Sequence, residues 1–92
     1  MIIGKKLREL REQKGLLLRQ VAAELEVDTA YISKMEQGKK NIKRDFILKL
    51  ASIYNYDESE LITLWLADHI SEIVKNEVTA VAALNIVIKN LK

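Results

Sequence analysis

The chain has 92 residues, enough for one domain with a modest core, so a partner subunit is expected to add to its stability. It has no cysteine, which excludes disulfides, thiolate zinc sites and cysteine nucleophiles, and no run of about 18 apolar residues to span a bilayer. The net charge of +2 divides unevenly: residues 1–50 hold twelve Lys/Arg against seven Asp/Glu, while residues 51–92 hold three against six. A basic front half and an acidic back half suit a front that faces a polyanion, although a solvated lysine-rich surface gives the same pattern.

Five or six helices are expected from apolar spacing. The first runs from about Gly4 to Lys14, with Leu7 and Leu10 inward, and Gly15 can end it in a left-handed conformation. The second, from about Leu18 to Leu25, carries Val21, Ala22 and Leu25 on one face. Asp28 is a suitable N-cap for a third helix from Thr29 to Gln37, which Gly38 ends. A basic loop, Lys39 to Arg44, leads to a fourth helix from about Arg44 to Tyr54, with Ile47, Leu50, Ala51 and Tyr54 inward. Asp57 and Glu60 resemble a capping box opening a fifth helix from Glu58 to about Lys75. In the last segment, from about Asn76 to Leu91, the residues Val81, Leu84, Ile88 and Leu91 follow the spacing of a coiled-coil seam, and Val78, Ile86 and Val87 widen it. Its breadth and terminal position favour self-association over packing on its own domain.

The second and third helices are short, are joined by about three residues and are followed by a basic loop, which is the layout of a helix-turn-helix. In that motif the first helix braces across the phosphate backbone and the second presents its outward side chains to base edges in the major groove. The outward positions of the third helix are Thr29, Ala30, Ser33, Lys34 and Gln37. Lys34 can donate to guanine O6 or N7, Thr29 can bond bases or phosphate, and the Ala30 methyl can touch a thymine methyl. Lys39, Lys40, Asn41, Lys43 and Arg44 read as phosphate clamps, which position the protein without reading sequence. Tyr31 is open between a core edge and a phosphate contact.

The stretch Gly15-Leu16, Val21-Ala22, Val27-Asp28 and Tyr31-Ile32-Ser33-Lys34-Met35-Glu36-Gln37-Gly38 resembles the signature of the Xre/Cro-repressor helix-turn-helix regulators. The likeness covers roughly residues 4–55. It implies a lambda-repressor-like all-α fold, a close helix crossing at Ala22, anchoring of the recognition helix by Val27 and Ile32, and an ion pair between Arg11 and Glu36. Thr29, Ala30 and Lys34 match base-facing family positions. Three departures stand out. Leu17-Leu18 replace a polar pair whose Gln binds phosphate, leaving Arg19 or Gln20 to substitute. Glu26 occupies a turn position usually taken by Gly, and the proline usual after the recognition loop is replaced near Ile42. The tail, Leu61 to Asp68 followed by Ile73-Val74-Lys75, is similar to small bacterial Xre regulators, some of which accompany DNA methyltransferases.

Residues 1–56 are thus expected to carry DNA binding, and residues 57–92 to complete the core and pair subunits through Val81, Leu84, Ile88 and Leu91, all within one compact domain. The expected partners are double-stranded DNA and a second copy, with a toxin or RNA polymerase as a further protein partner and no membrane. No cofactor or metal is expected. The lone histidine, His69, beside Asp68, reads as surface decoration, and Trp65, with Leu61, Leu64, Leu66 and Ile70, as core or subunit interface. The opening residues lack the apolar stretch of a signal peptide, which fits a cytoplasmic protein. The main alternatives are an antitoxin that binds its toxin through the apolar tail and an interaction module that no longer binds DNA.

Overall fold

The computed structural model describes residues 2–92 as six helices: α1 (Ile2–Gln13), α2 (Leu18–Leu25), α3 (Thr29–Glu36), α4 (Arg44–Ile53), α5 (Glu58–Val74) and α6 (Ala80–Leu91). Among the described residues there is no strand, so the fold is all-α as expected. Helix α1 begins at Ile2, ahead of the Gly4 start read from the sequence. The cause is remote: both carboxylate oxygens of Asp68 on α5 accept backbone N–H groups of α1, from Ile2 at 3.0 Å and from Ile3 at 2.8 Å. A free helix N-terminus has unpaired amides and a partial positive charge, and a carboxylate answers both. Asp68 is therefore a buried cap, not the surface residue its position beside His69 suggested.

Four helix ends share one geometry. Gly15, Glu26, Gly38 and Asn55 adopt left-handed backbone, with φ of 67°, 57°, 76° and 50°. In each case the following amide bonds a carbonyl inside the helix: Leu16 to Arg11, Val27 to Ala22, Lys39 to Lys34 and Tyr56 to Ala51, at 2.9–3.1 Å. These are Schellman endings, which pair carbonyls that the helix leaves free. Gly and Asn tolerate the conformation, whereas Glu26 holds it with a Cβ that crowds its own carbonyl. Asp28 caps α3 by accepting the Tyr31 N–H at 3.0 Å. At α5 only half of the expected capping box forms: Asp57 accepts the Ser59 N–H at 3.3 Å, and Glu60 does not reach back. The reverse arm appears instead at α2, where Gln20 Oε1 accepts the Leu17 N–H at 2.7 Å.

The core draws Ile3, Leu7 and Leu10 from α1, Val21, Ala22 and Leu25 from α2, Ile32 and Met35 from α3, Ile47, Leu50 and Ala51 from α4 and Leu61 from α5. Ile42, in the loop where the family has proline nearby, is buried among them. Helix α6 differs from the others. It starts at Ala80, later than the expected Asn76, because Asn76 takes left-handed backbone at φ 63° and the chain turns through Lys75–Thr79 first. It buries no residue and makes no substantial contact with another helix. The molecule is accordingly drawn out to 43 × 25 × 21 Å, with a radius of gyration of 14.9 Å, where a compact chain of this length has about 12 Å.

Candidate nucleic-acid interface

Helix α3 is eight residues long and buries only Ile32 and Met35. A helix so short and polar is marginal by itself, so its position depends on what grips it. Its N-terminus is capped by Asp28. Its C-terminus is backed by Gly4: a Cβ there would come within 2.6 Å of the Met35 carbonyl oxygen and 2.8 Å of that of Glu36. Glycine at this position is what lets α1 approach so closely, and nothing in the sequence distinguished it from a helix-start residue.

The strongest tie is the Arg11–Glu36 pair. Arg11 Nε donates to Glu36 Oε2 at 2.8 Å and a terminal guanidinium nitrogen donates to Oε1 at 3.1 Å, a two-pronged contact between α1 and α3. The other terminal nitrogen donates to the Leu16 carbonyl at 3.0 Å, so the same side chain also fixes the entry to α2. The side chains are only 12% and 6% exposed, which places the pair where a lost partner is costly. The hydrogen bond to Glu36 holds the Arg11 pKa above its ordinary value. Beside the pair, burial pushes the Tyr54 phenol well above its ordinary range, and the Glu36 charge pushes it the same way. The Tyr54 hydroxyl finds no hydrogen-bond partner among the described residues.

Gripped in this way, α3 turns Thr29, Ala30, Lys34 and Gln37 to solvent and leaves Ser33 half-buried, with Gln37 Nε2 donating to Ser33 Oγ at 3.1 Å. Tyr31 is half-buried, set edge-on to Phe46 at 5.8 Å, with the Lys40 ammonium 5.4 Å from its ring centre. Lys39, Lys40, Asn41, Lys43 and Arg44 are all exposed along the loop that follows α3. Arg19 and Gln20 are exposed at the start of α2, although Gln20 already spends its oxygen on the Leu17 amide.

Trp65 has a part in this surface that its sequence context did not reveal. Its indole N–H donates to the Ile42 carbonyl at 2.7 Å, and the Arg44 guanidinium lies 6.0 Å from its ring centre. One residue of α5 therefore holds the middle and the end of the basic loop. The available signal was the general need of a half-buried indole N–H for an acceptor, which names no partner. The His69 ring sits edge-on to Trp65, ring centres 4.5 Å apart, with Nδ1 2.8 Å from the Trp65 carbonyl oxygen. Among the described residues, no group of three or more His, Cys, Asp or Glu side chains is placed to hold a metal ion, and no helix is long and apolar enough to cross a membrane.

Residues 2–64 match the helix-turn-helix domain family, about two-thirds of the chain. The HTH-type transcriptional regulator DdrOP3 of Deinococcus deserti is 32% identical over 62 residues, covering 67% of this chain and 48% of that protein. The chain thus spans about half the length of this curated relative. No solved structure matches. With two short helices joined by a tight turn, an exposed polar face on the second and a basic loop behind it, the chain belongs to the helix-turn-helix domain family.

Proposed function

We propose that the protein is a sequence-specific DNA-binding transcriptional regulator that works in the cytoplasm as a homodimer on a (pseudo)palindromic operator. The observation that carries this reading is the face of α3. Thr29, Ala30 and Lys34 stand free of the core on a helix held from both ends, and five polar or basic loop residues flank them. In this reading Thr29, Ala30, Ser33 and Lys34 meet base edges. Arg19, Gln20, Tyr31, Lys39, Lys40, Asn41, Lys43 and Arg44 meet phosphates. Residues 1–56 carry the contact, and residues 57–92 complete the core and pair subunits. Two recognition helices about 34 Å apart then enter successive major grooves on one side of the duplex. The relative's name, a transcriptional regulator, supports the same reading.

Selection from a randomised duplex library tests it. Two inverted half-sites about one helical turn apart are the expected product. Recovery of no motif, with no salt-dependent retention, overturns it. Within a recovered operator, Lys34→Ala relaxes base preference, whereas Lys39→Ala or Lys40→Ala weakens all DNA alike and lowers the salt slope by about one unit each. The bare apolar face of α6 favours one second reading, an antitoxin that holds a toxin there. Co-purification of the chain with a small unrelated protein from its own host, in place of self-association, would support that.

A further inference from the structure

Helix α5 is apolar on two faces. Leu61 and Asp68 lie on the face that meets the core. On the far side, Leu66, Ile70 and Ile73 recur at spacings of four and three, which is one stripe of a helix, and Ile62, four residues before Leu66, is its half-buried inner end against the core. Leu66 and Ile70 are exposed and Ile73 is 79% exposed, so the stripe faces out. A surface helix shows one apolar face; a second means a second packing partner. Helix α6 has the complementary need. Its stripe of Val81, Leu84, Ile88 and Leu91, broadened by Val87, is wider than a two-stranded seam, and its polar residues are only Asn85, Lys89 and Asn90.

The two stripes match in length. Ile62 to Ile73 spans about 16 Å of helix and Val81 to Leu91 about 15 Å. They also hold eight of the eleven exposed large hydrophobic residues, counting Val78 in the connection. Scaled by their exposure, the four on the α6 stripe offer roughly 150–300 Å² per copy, at about 60–120 Å² for a fully exposed side chain. A specific interface needs about 500 Å² or more from each partner. The α6 stripe alone falls short of that, and only all eight together, at roughly 300–600 Å², come up to it.

We propose that α6 of each protomer packs on the outer α5 stripe of its partner, so that two α5 and two α6 helices form a four-helix bundle at the centre of the dimer. This rests on the homodimer reading above and adds α5 to the interface. The arrangement is self-complementary, as two-fold symmetry requires: each copy gives one α6 and receives one on its α5. It also gives a 12-residue helix, too short to be stable in water alone, the packing that keeps it folded.

Sedimentation of the full chain and two double variants tests this. The wild type is expected to be a dimer, and both L66E/I70E on α5 and L84E/I88E on α6 to weaken dimerisation at least 100-fold. Loss of the dimer in the α6 variant alone, or in neither, overturns the bundle and leaves the homodimer standing. A wild type that is monomeric at every concentration removes the homodimer itself. Should an α5 variant misfold, mixed disulfides decide the matter, since the chain has no cysteine of its own. Chains with Leu66→Cys or Ile70→Cys are oxidised with differently tagged chains carrying Leu84→Cys or Ile88→Cys. Cross-linking between the two kinds is expected, and linkage only between α6 cysteines overturns the proposal.

Discussion

Helices α3 and α6 reverse the usual relation between apolar content and anchoring. Helix α3 is the shorter and more polar, yet it is held at both ends and buries Ile32 and Met35. Helix α6 is longer and richer in Ala, Val, Ile and Leu, yet it buries nothing. Where a helix sits is decided by what reaches it, and α3 is reached by a glycine, a carboxylate cap and a guanidinium. The exposed faces differ accordingly. The one on α3 carries donors suited to a polyanion, and the one on α6 offers only hydrocarbon, suited to another protein.

The comparison breaks most directly at Arg11. Replacing it by Ala leaves the Glu36 carboxylate buried without its partner, and chemical denaturation should show a loss of about 3–5 kcal/mol. The α3 surface should lose its order while α6, which touches none of these groups, keeps whatever association it has. Next is Asp68→Ala, which strips two amides of α1 of their acceptor and should lower stability by about 1–2 kcal/mol in the same measurement.

Tyr54 gives an effect of opposite sign. Its buried hydroxyl has no partner among the described residues, so Tyr54→Phe should raise stability by about 1 kcal/mol. It should also alter the response to alkali. An unfolded tyrosine ionises near its ordinary value of 10.0, whereas burial keeps the folded phenol protonated to higher pH. Above pH 10 the folded state therefore holds a proton that the unfolded state has lost, and stability falls as pH rises through that range. Below it the contribution is complete. Thermal melts from pH 8 to pH 11 should show the decline in the wild type and a shallower one in Tyr54→Phe.

The smallest effect belongs to α6. Ile88→Glu should change the unfolding free energy of the helix-turn-helix domain, measured at dilutions where the wild type is monomeric, by no more than about 0.5 kcal/mol. A loss as large as that at Asp68 would mean that α6 packs on its own domain, and the contrast with α3 would disappear.

Much of this was legible in the sequence. Apolar spacing placed all six helices, with shifts of a few residues at the ends, because the period of a helix is written locally. The stops at Gly15 and Gly38 and the cap at Asp28 were equally local. At Glu26 the signature has Gly, which left open a strained or a differently shaped turn, and the fold keeps the left-handed form at φ 57°. The resemblance also pointed to Arg11 and Glu36 as partners, 25 residues apart, which composition and spacing alone do not join.

Tertiary structure alone decided what depends on distant atoms meeting. Asp68 caps a helix 65 residues upstream, Trp65 ties down the carbonyl of Ile42, and Gly4 is small because the last turn of α3 lies against it. None of these has a periodic signal, since a hydrogen bond or a close contact needs one atom in one place, not a pattern along the chain. The outward stripe of α5 was half legible: Leu66 and Ile70 read as core or subunit interface, and only the fold turned one face of the helix inward and left these residues exposed. Sequence fixes what each helix can offer, through local geometry and side-chain chemistry; which offers are taken up, and which remain for a partner, is settled only when the helices pack.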